Sequence, residues 1–77
     1  MSITVKLFAT LRERYGMSET SLEFSEGISI PDLWSLISNG EVLPATVMMA
    51  VNMEYAKPDR QLQDGDEVAF FPPVSGG

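Results

Sequence analysis

Ser29-Ile30-Pro31-Asp32-Leu33-Trp34-Ser35-Leu36-Ile37-Ser38-Asn39-Gly40 is the stretch of this 77-residue chain that carries a full set of helix signals. Ser29 suits the N-cap, and Asp32 three residues on completes a capping-box pattern. Pro31 falls in the first turn, where a missing N–H costs nothing. Ile28 is placed to pack on Leu33 as a hydrophobic staple, and Asn39-Gly40 closes the helix. Ile30, Leu33, Leu36 and Ile37 are expected to form one apolar stripe. Trp34 lies at its edge, as core or rim packing or as a stacking surface for a ligand. One such helix can cover one face of a small sheet, so a two-layer α+β domain is expected.

Toward the N-terminus, Ile3, Val5 and Leu7 alternate with Thr4 and Lys6, the period of a half-buried strand, and Phe8 falls on the opposite face. Ala9 through Tyr15 reads as a short helix stopped by Gly16. Leu22 and Phe24 alternate with Ser21 and Glu23 as a second strand, and Glu26-Gly27 marks a turn. Toward the C-terminus, Val47-Met48-Met49-Ala50-Val51 is an unbroken apolar run between Pro44 and Asn52. It predicts a strand buried on both faces or paired in mid-sheet. The two methionines are assigned to the core, with an adaptable binding surface as the alternative.

Residues 52–66 read as loop, with turns at 52–54 and 57–59 and Leu62 as a lone apolar anchor. Asp64-Gly65-Asp66 predicts a turn into a last strand, Glu67 to Phe71. These aspartates lack the alternating partners of a calcium loop, so turn chemistry is the preferred account. In the last strand Val68 and Phe70 share one face, and Ala69 and Phe71 the other. With the helix on the Val68–Phe70 side, Phe8 and Phe71 form an exposed apolar patch, the usual mark of an interface. Alternation alone also permits the inverse.

Composition narrows the chemistry. Eleven acidic against five basic residues give a formal charge of −6. That disfavours nucleic acid and anionic membrane surfaces as partners. Docking onto basic surfaces and plain solubility both remain open. The chain has no cysteine and no histidine. A disulfide framework, zinc chemistry and imidazole catalysis are therefore not expected, and a cytoplasmic setting is. The first residues lack the apolar core of a signal peptide, and no apolar run reaches membrane-spanning length.

The end of the chain, Phe70-Phe71-Pro72-Pro73-Val74-Ser75-Gly76-Gly77, has an order of its own. Two prolines remove N–H donors and fix φ, so the ladder stops at Pro72. Gly76 and Gly77 put no side chain near the α-carboxylate. Extended, Pro72 to Gly77 spans up to roughly 20 Å. A carboxylate on such a stalk suits a narrow pocket, although composition alone favours a plain terminal extension. The expected organisation is a domain over residues 1–71 and an extended tail over 72–77.

Asp64 through Gly77 resembles the C-terminus of the MoaD-type small subunits of molybdopterin synthase. These are sulfur carriers of the ubiquitin-like β-grasp fold, in the MoaD/ThiS family. Val5-Lys6-Leu7-Phe8-Ala9-Thr10-Leu11-Arg12-Glu13 and Ala50-Val51-Asn52 match as well, and the chain is short between Gly40 and Val47. The resemblance implies a mixed sheet of about four to five strands, one main helix and a short helix after strand 1. It implies that an E1-like adenylating enzyme uses ATP to activate the carboxylate of Gly77. A sulfur donor system then converts it to a thiocarboxylate. Pro72, Pro73, Val74, Ser75 and Gly76 would enter the large catalytic subunit, where sulfur passes to cyclic pyranopterin monophosphate. A heterotetramer with two of each subunit is implied, with no cofactor held permanently and no catalysis by this chain alone. Phe71, Phe8 and Arg12 would meet partners, and Arg12 reads equally as a solvated helix residue. A thiamin-type or other biosynthetic carrier, and a ubiquitin-like modifier or binding module, are the alternatives.

Overall fold

The computed structural model describes residues 1–73. Along the chain come β1 (Ser2–Leu7), α1 (Ala9–Tyr15), β2 (Glu19–Glu23) and α2 (Ile30–Ile37), then β3 (Met48–Val51), β4 (Glu54–Tyr55) and β5 (Glu67–Phe71). The strands form one sheet in the order β2-β1-β5-β3-β4. β1 and β5 pair in parallel at its centre, with Leu7 opposite Phe70, and the other three pairings are antiparallel. First and last strands thus lie side by side. This is the ubiquitin-like β-grasp arrangement.

Alternation sorts the strand residues into two faces, and α2 packs on one of them. Ile3, Val5 and Leu7 of β1, Val68 and Phe70 of β5, and Met49 and Val51 of β3 are buried with Ile30, Leu33 and Trp34 of α2. The capping box forms in both directions. Asp32 N–H donates to Ser29 Oγ at 3.1 Å, and Ser29 N–H donates to Asp32 Oδ2 at 3.0 Å. The apolar stripe differs from expectation. Trp34 is fully buried, whereas Leu36 is 60% exposed. Residues 30, 33, 34 and 37 fill one face at 3.6 residues per turn, and Leu36 lies about a third of a turn away. Trp34 sits edge-on to Tyr15 (ring centroids 5.5 Å apart) and to Phe70 (5.0 Å). These aromatics tie α1, α2 and β5 together.

Two further expectations are corrected. β3 does pair in mid-sheet, between β5 and β4, but it is not buried on both faces. Met49 is buried while Met48 is 40% exposed, because a single layer of helix leaves the other face of β3 open. The segment read as loop contains β4. Asn52 and Met53 adopt φ of 51° and 71°, a two-residue hairpin turn between β3 and β4.

The Asp64–Asp66 turn is built from hydrogen bonds. Asp66 Oδ1 accepts from Asn52 Nδ2 at 2.9 Å, and Oδ2 accepts from Gln63 N–H at 2.8 Å. Asp64 Oδ1 accepts from Ser2 N–H at 2.9 Å. Asn52 also accepts from Glu67 N–H at 3.0 Å, latching the hairpin to the start of β5.

Candidate functional site

β5 delivers the chain to the site. Phe70 is anchored in the core, so its neighbour Phe71 must face the other way, and it is half-buried on the helix-free face. The strand ends there, and Pro72 and Pro73 follow outside any element. Phe8 N–H donates to Phe70 C=O at 3.2 Å, extending the β1–β5 ladder by one bond and setting Phe8 beside Phe71. Phe8 is 47% exposed. Arg12 is exposed on α1, one residue past buried Leu11, and makes no ion pair among the described residues. Val74, Ser75, Gly76 and Gly77 lie outside the described residues.

The patch is larger than the sequence indicated. Met48 is the register partner of Phe71. Tyr55, exposed on β4, stands edge-on to Phe71 at 5.9 Å between ring centroids. Phe8, Phe71, Met48 and Tyr55 therefore form one apolar surface around the point where the chain leaves the sheet. Sequence reasoning missed Met48 by giving it to the core, and Tyr55 by giving it to a loop. Asn52, a residue favoured in two-residue hairpin turns, was the available signal for β4.

The polar groups of the helix-free face lie nearer the other side. Lys6 Nζ and Glu67 Oε2 pair at 3.3 Å, each about one-third exposed. On the far side of α1, Tyr15 donates to Glu41 Oε1 at 2.9 Å. Burial raises the Tyr15 phenol above its ordinary pKa, and the bond to Glu41 acts in the same direction. Among the described residues no cluster of three metal-ligating side chains occurs, and no helix is long and apolar enough to cross a membrane.

A β-grasp domain whose last strand runs out through an apolar patch into Pro-Pro-Val-Ser-Gly-Gly defines a ubiquitin-like protein. The ThiS family model matches residues 5–77, and the chain belongs to that family. It is 40% identical over 83 residues to the molybdopterin synthase sulfur carrier subunit of Chlamydomonas reinhardtii, covering all of both chains. It is 38% identical over 85 residues to the Escherichia coli protein of the same name, covering 97% of this chain and 99% of that one. Among solved structures, SAMP1 (small archaeal modifier protein 1) from Haloferax volcanii is similar, with a TM-score of 0.79 and 30% identity over the whole of both chains.

Proposed function

We propose that this protein is the sulfur carrier subunit of a molybdopterin synthase, and that the carboxylate of Gly77 is its working group. A carboxylate is a poor electrophile. An E1-like adenylating partner uses ATP to place AMP on it, releasing pyrophosphate. Sulfide-level sulfur from a donor system then attacks the acyl carbon and AMP leaves, giving a thiocarboxylate. The large catalytic subunit takes in Pro72 through Gly77 and passes the sulfur to cyclic pyranopterin monophosphate. Gly76 and Gly77 let the partner's groups approach without meeting a Cβ. Pro72 and Pro73 lower the entropy lost when the tail is ordered. Phe71, Phe8 and Arg12 are the residues against which the partners close. The domain is residues 1–71, and the chain contributes no catalytic group beyond its end. Cytoplasmic sulfur delivery in a two-plus-two complex completes the reading.

The observation that carries it is the junction at Phe71. A rigidly anchored strand ends in an exposed apolar patch, immediately before a diglycine tail, in a full-length relative of named sulfur carriers. The test is intact-mass analysis after incubation with the cognate activating enzyme, ATP and a sulfur donor. The expected product has one oxygen replaced by sulfur, and an unchanged mass overturns the assignment. Rescue of strains lacking individual pathways separates this carrier from a thiamin-type one.

The likeness to SAMP1 supports a second reading, a protein modifier. Isopeptide adducts between Gly77 and partner lysines in cell extracts would favour it.

A further inference from the structure

A groove of about 480 Å³ opens beside the tail exit, between the N-terminal end of α2 and the β3–β4 edge. Pro31, Val42, Leu43, Pro44 and Met48 contribute its apolar wall, and among the described residues Lys57 is the one charged side chain that lines it. Val42 is 88% exposed. With Leu43, Pro44 and Met48 it makes a contiguous apolar surface, and it is contiguity rather than one exposed side chain that marks an interaction site.

Two observations say what fills the groove. The first is continuity. Met48 lines the groove and is also the register partner of Phe71. Ala56 N–H donates to Met49 C=O at 3.1 Å, which continues the β3–β4 register and brings Lys57 alongside Met48. Phe71, Met48 and Lys57 thus form a row across β5, β3 and the end of β4, about 10 Å long at two strand spacings. Whatever closes over Phe71 borders the mouth of the groove. The second is charge. This chain carries −6, yet the groove presents an ammonium that makes no ion pair among the described residues.

We propose that the groove receives a segment of the large catalytic subunit, an extended stretch with an apolar side chain and a neighbouring carboxylate. The apolar group seats against Val42, Leu43 and Pro44, and the carboxylate pairs with Lys57 at the rim. The partner then grips the carrier on two adjoining surfaces, the Phe71 patch that aims the tail and the groove that fixes the rotation of the domain about it. This inference rests on the sulfur-carrier reading.

The experiment titrates the full-length carrier with its own large subunit, comparing the wild type with Val42→Asp, Lys57→Glu and Phe71→Ala, at low and high salt. Val42→Asp and Lys57→Glu are each expected to weaken binding about tenfold, with thermal midpoints unchanged. The Lys57→Glu loss should shrink at high salt, as a rim charge requires. If both groove variants bind like the wild type while Phe71→Ala binds weakly, the inference is overturned and the carrier reading stands. Altered self-association without altered partner binding would assign the groove to a second copy. Loss of groove protection in hydrogen exchange on removing residues 74–77 would assign it to the tail, and either result overturns the proposal. Failure of the wild type itself to bind the large subunit removes the parent reading together with this one.

Discussion

Phe70 and Phe71 are adjacent and chemically identical, and the structure turns them to opposite faces of the sheet. Replacing each with alanine separates folding from docking. Phe70 has no exposed surface and stacks edge-on to Trp34 at 5.0 Å. Truncating a buried Phe costs about 3–5 kcal/mol. A 77-residue domain has a total stability of about 4–12 kcal/mol at typical values per residue. Phe70→Ala should therefore remove a large share of the stability, and part of the population should unfold at 37 °C. Phe71 is half-buried, with Tyr55 edge-on to it, so its truncation should cost about 1–2 kcal/mol. At the interface the ranking reverses. An aromatic anchor at the centre of a docking patch contributes about 2 kcal/mol or more, roughly a 30-fold change in Kd. Urea unfolding of both variants, paired with titration against the large subunit at a temperature where both are folded, measures the contrast. Equal destabilisation by the two substitutions would refute the face assignment. Unchanged partner affinity in Phe71→Ala would refute the docking role.

Other consequences are local. Met53 holds φ of 71° in the β3–β4 turn, so Met53→Gly should raise stability by about 1 kcal/mol, read as a higher denaturant midpoint at unchanged slope. Ser29→Ala removes one half of the capping box and should cost about 1 kcal/mol by the same assay. The Tyr15 phenol has a raised pKa in the folded state, so its contribution is intact below the ordinary value of 10.0 and is lost as pH rises through the raised one. Stability measured from pH 9 to 11 should fall with pH, and Tyr15→Phe should flatten that fall. Deleting Gly76 and Gly77 should leave the melting curve unchanged and abolish thiocarboxylate formation. Survival of sulfur transfer in that variant would contradict the assignment of the working group.

The elements that sequence reasoning placed well are those whose cause is local. The capping box joins Ser29 and Asp32 across three residues, and both hydrogen bonds form as expected. Gly16 adopts φ of 70° and ends α1, a conformation its lack of a Cβ makes inexpensive. Period-2 alternation in β1 and β5 sorts Val5 from Lys6 and Phe70 from Phe71 with no knowledge of neighbours. Where reasoning failed, the deciding contact was distant. Met48 and Met49 look alike in a run of apolar residues, and only pairing with β5 below a single helix sends one in and one out. Trp34 displaced Leu36 from the stripe because Tyr15 and Phe70, far away in the chain, supply the space that an indole fills. β4 is two residues long, too short for any periodicity to register.

By itself, then, the sequence determined the helix boundaries, the alternation within β1, β2 and β5 and the order of groups from Phe71 to Gly77, since each depends on neighbours a few bonds apart. Which face of the sheet stays open was decided only by the tertiary structure, and with it the joining of Phe8, Met48, Tyr55 and Phe71 into one surface. Alternation is symmetric between the two faces of a strand, and that symmetry is broken only when α2 settles on one of them.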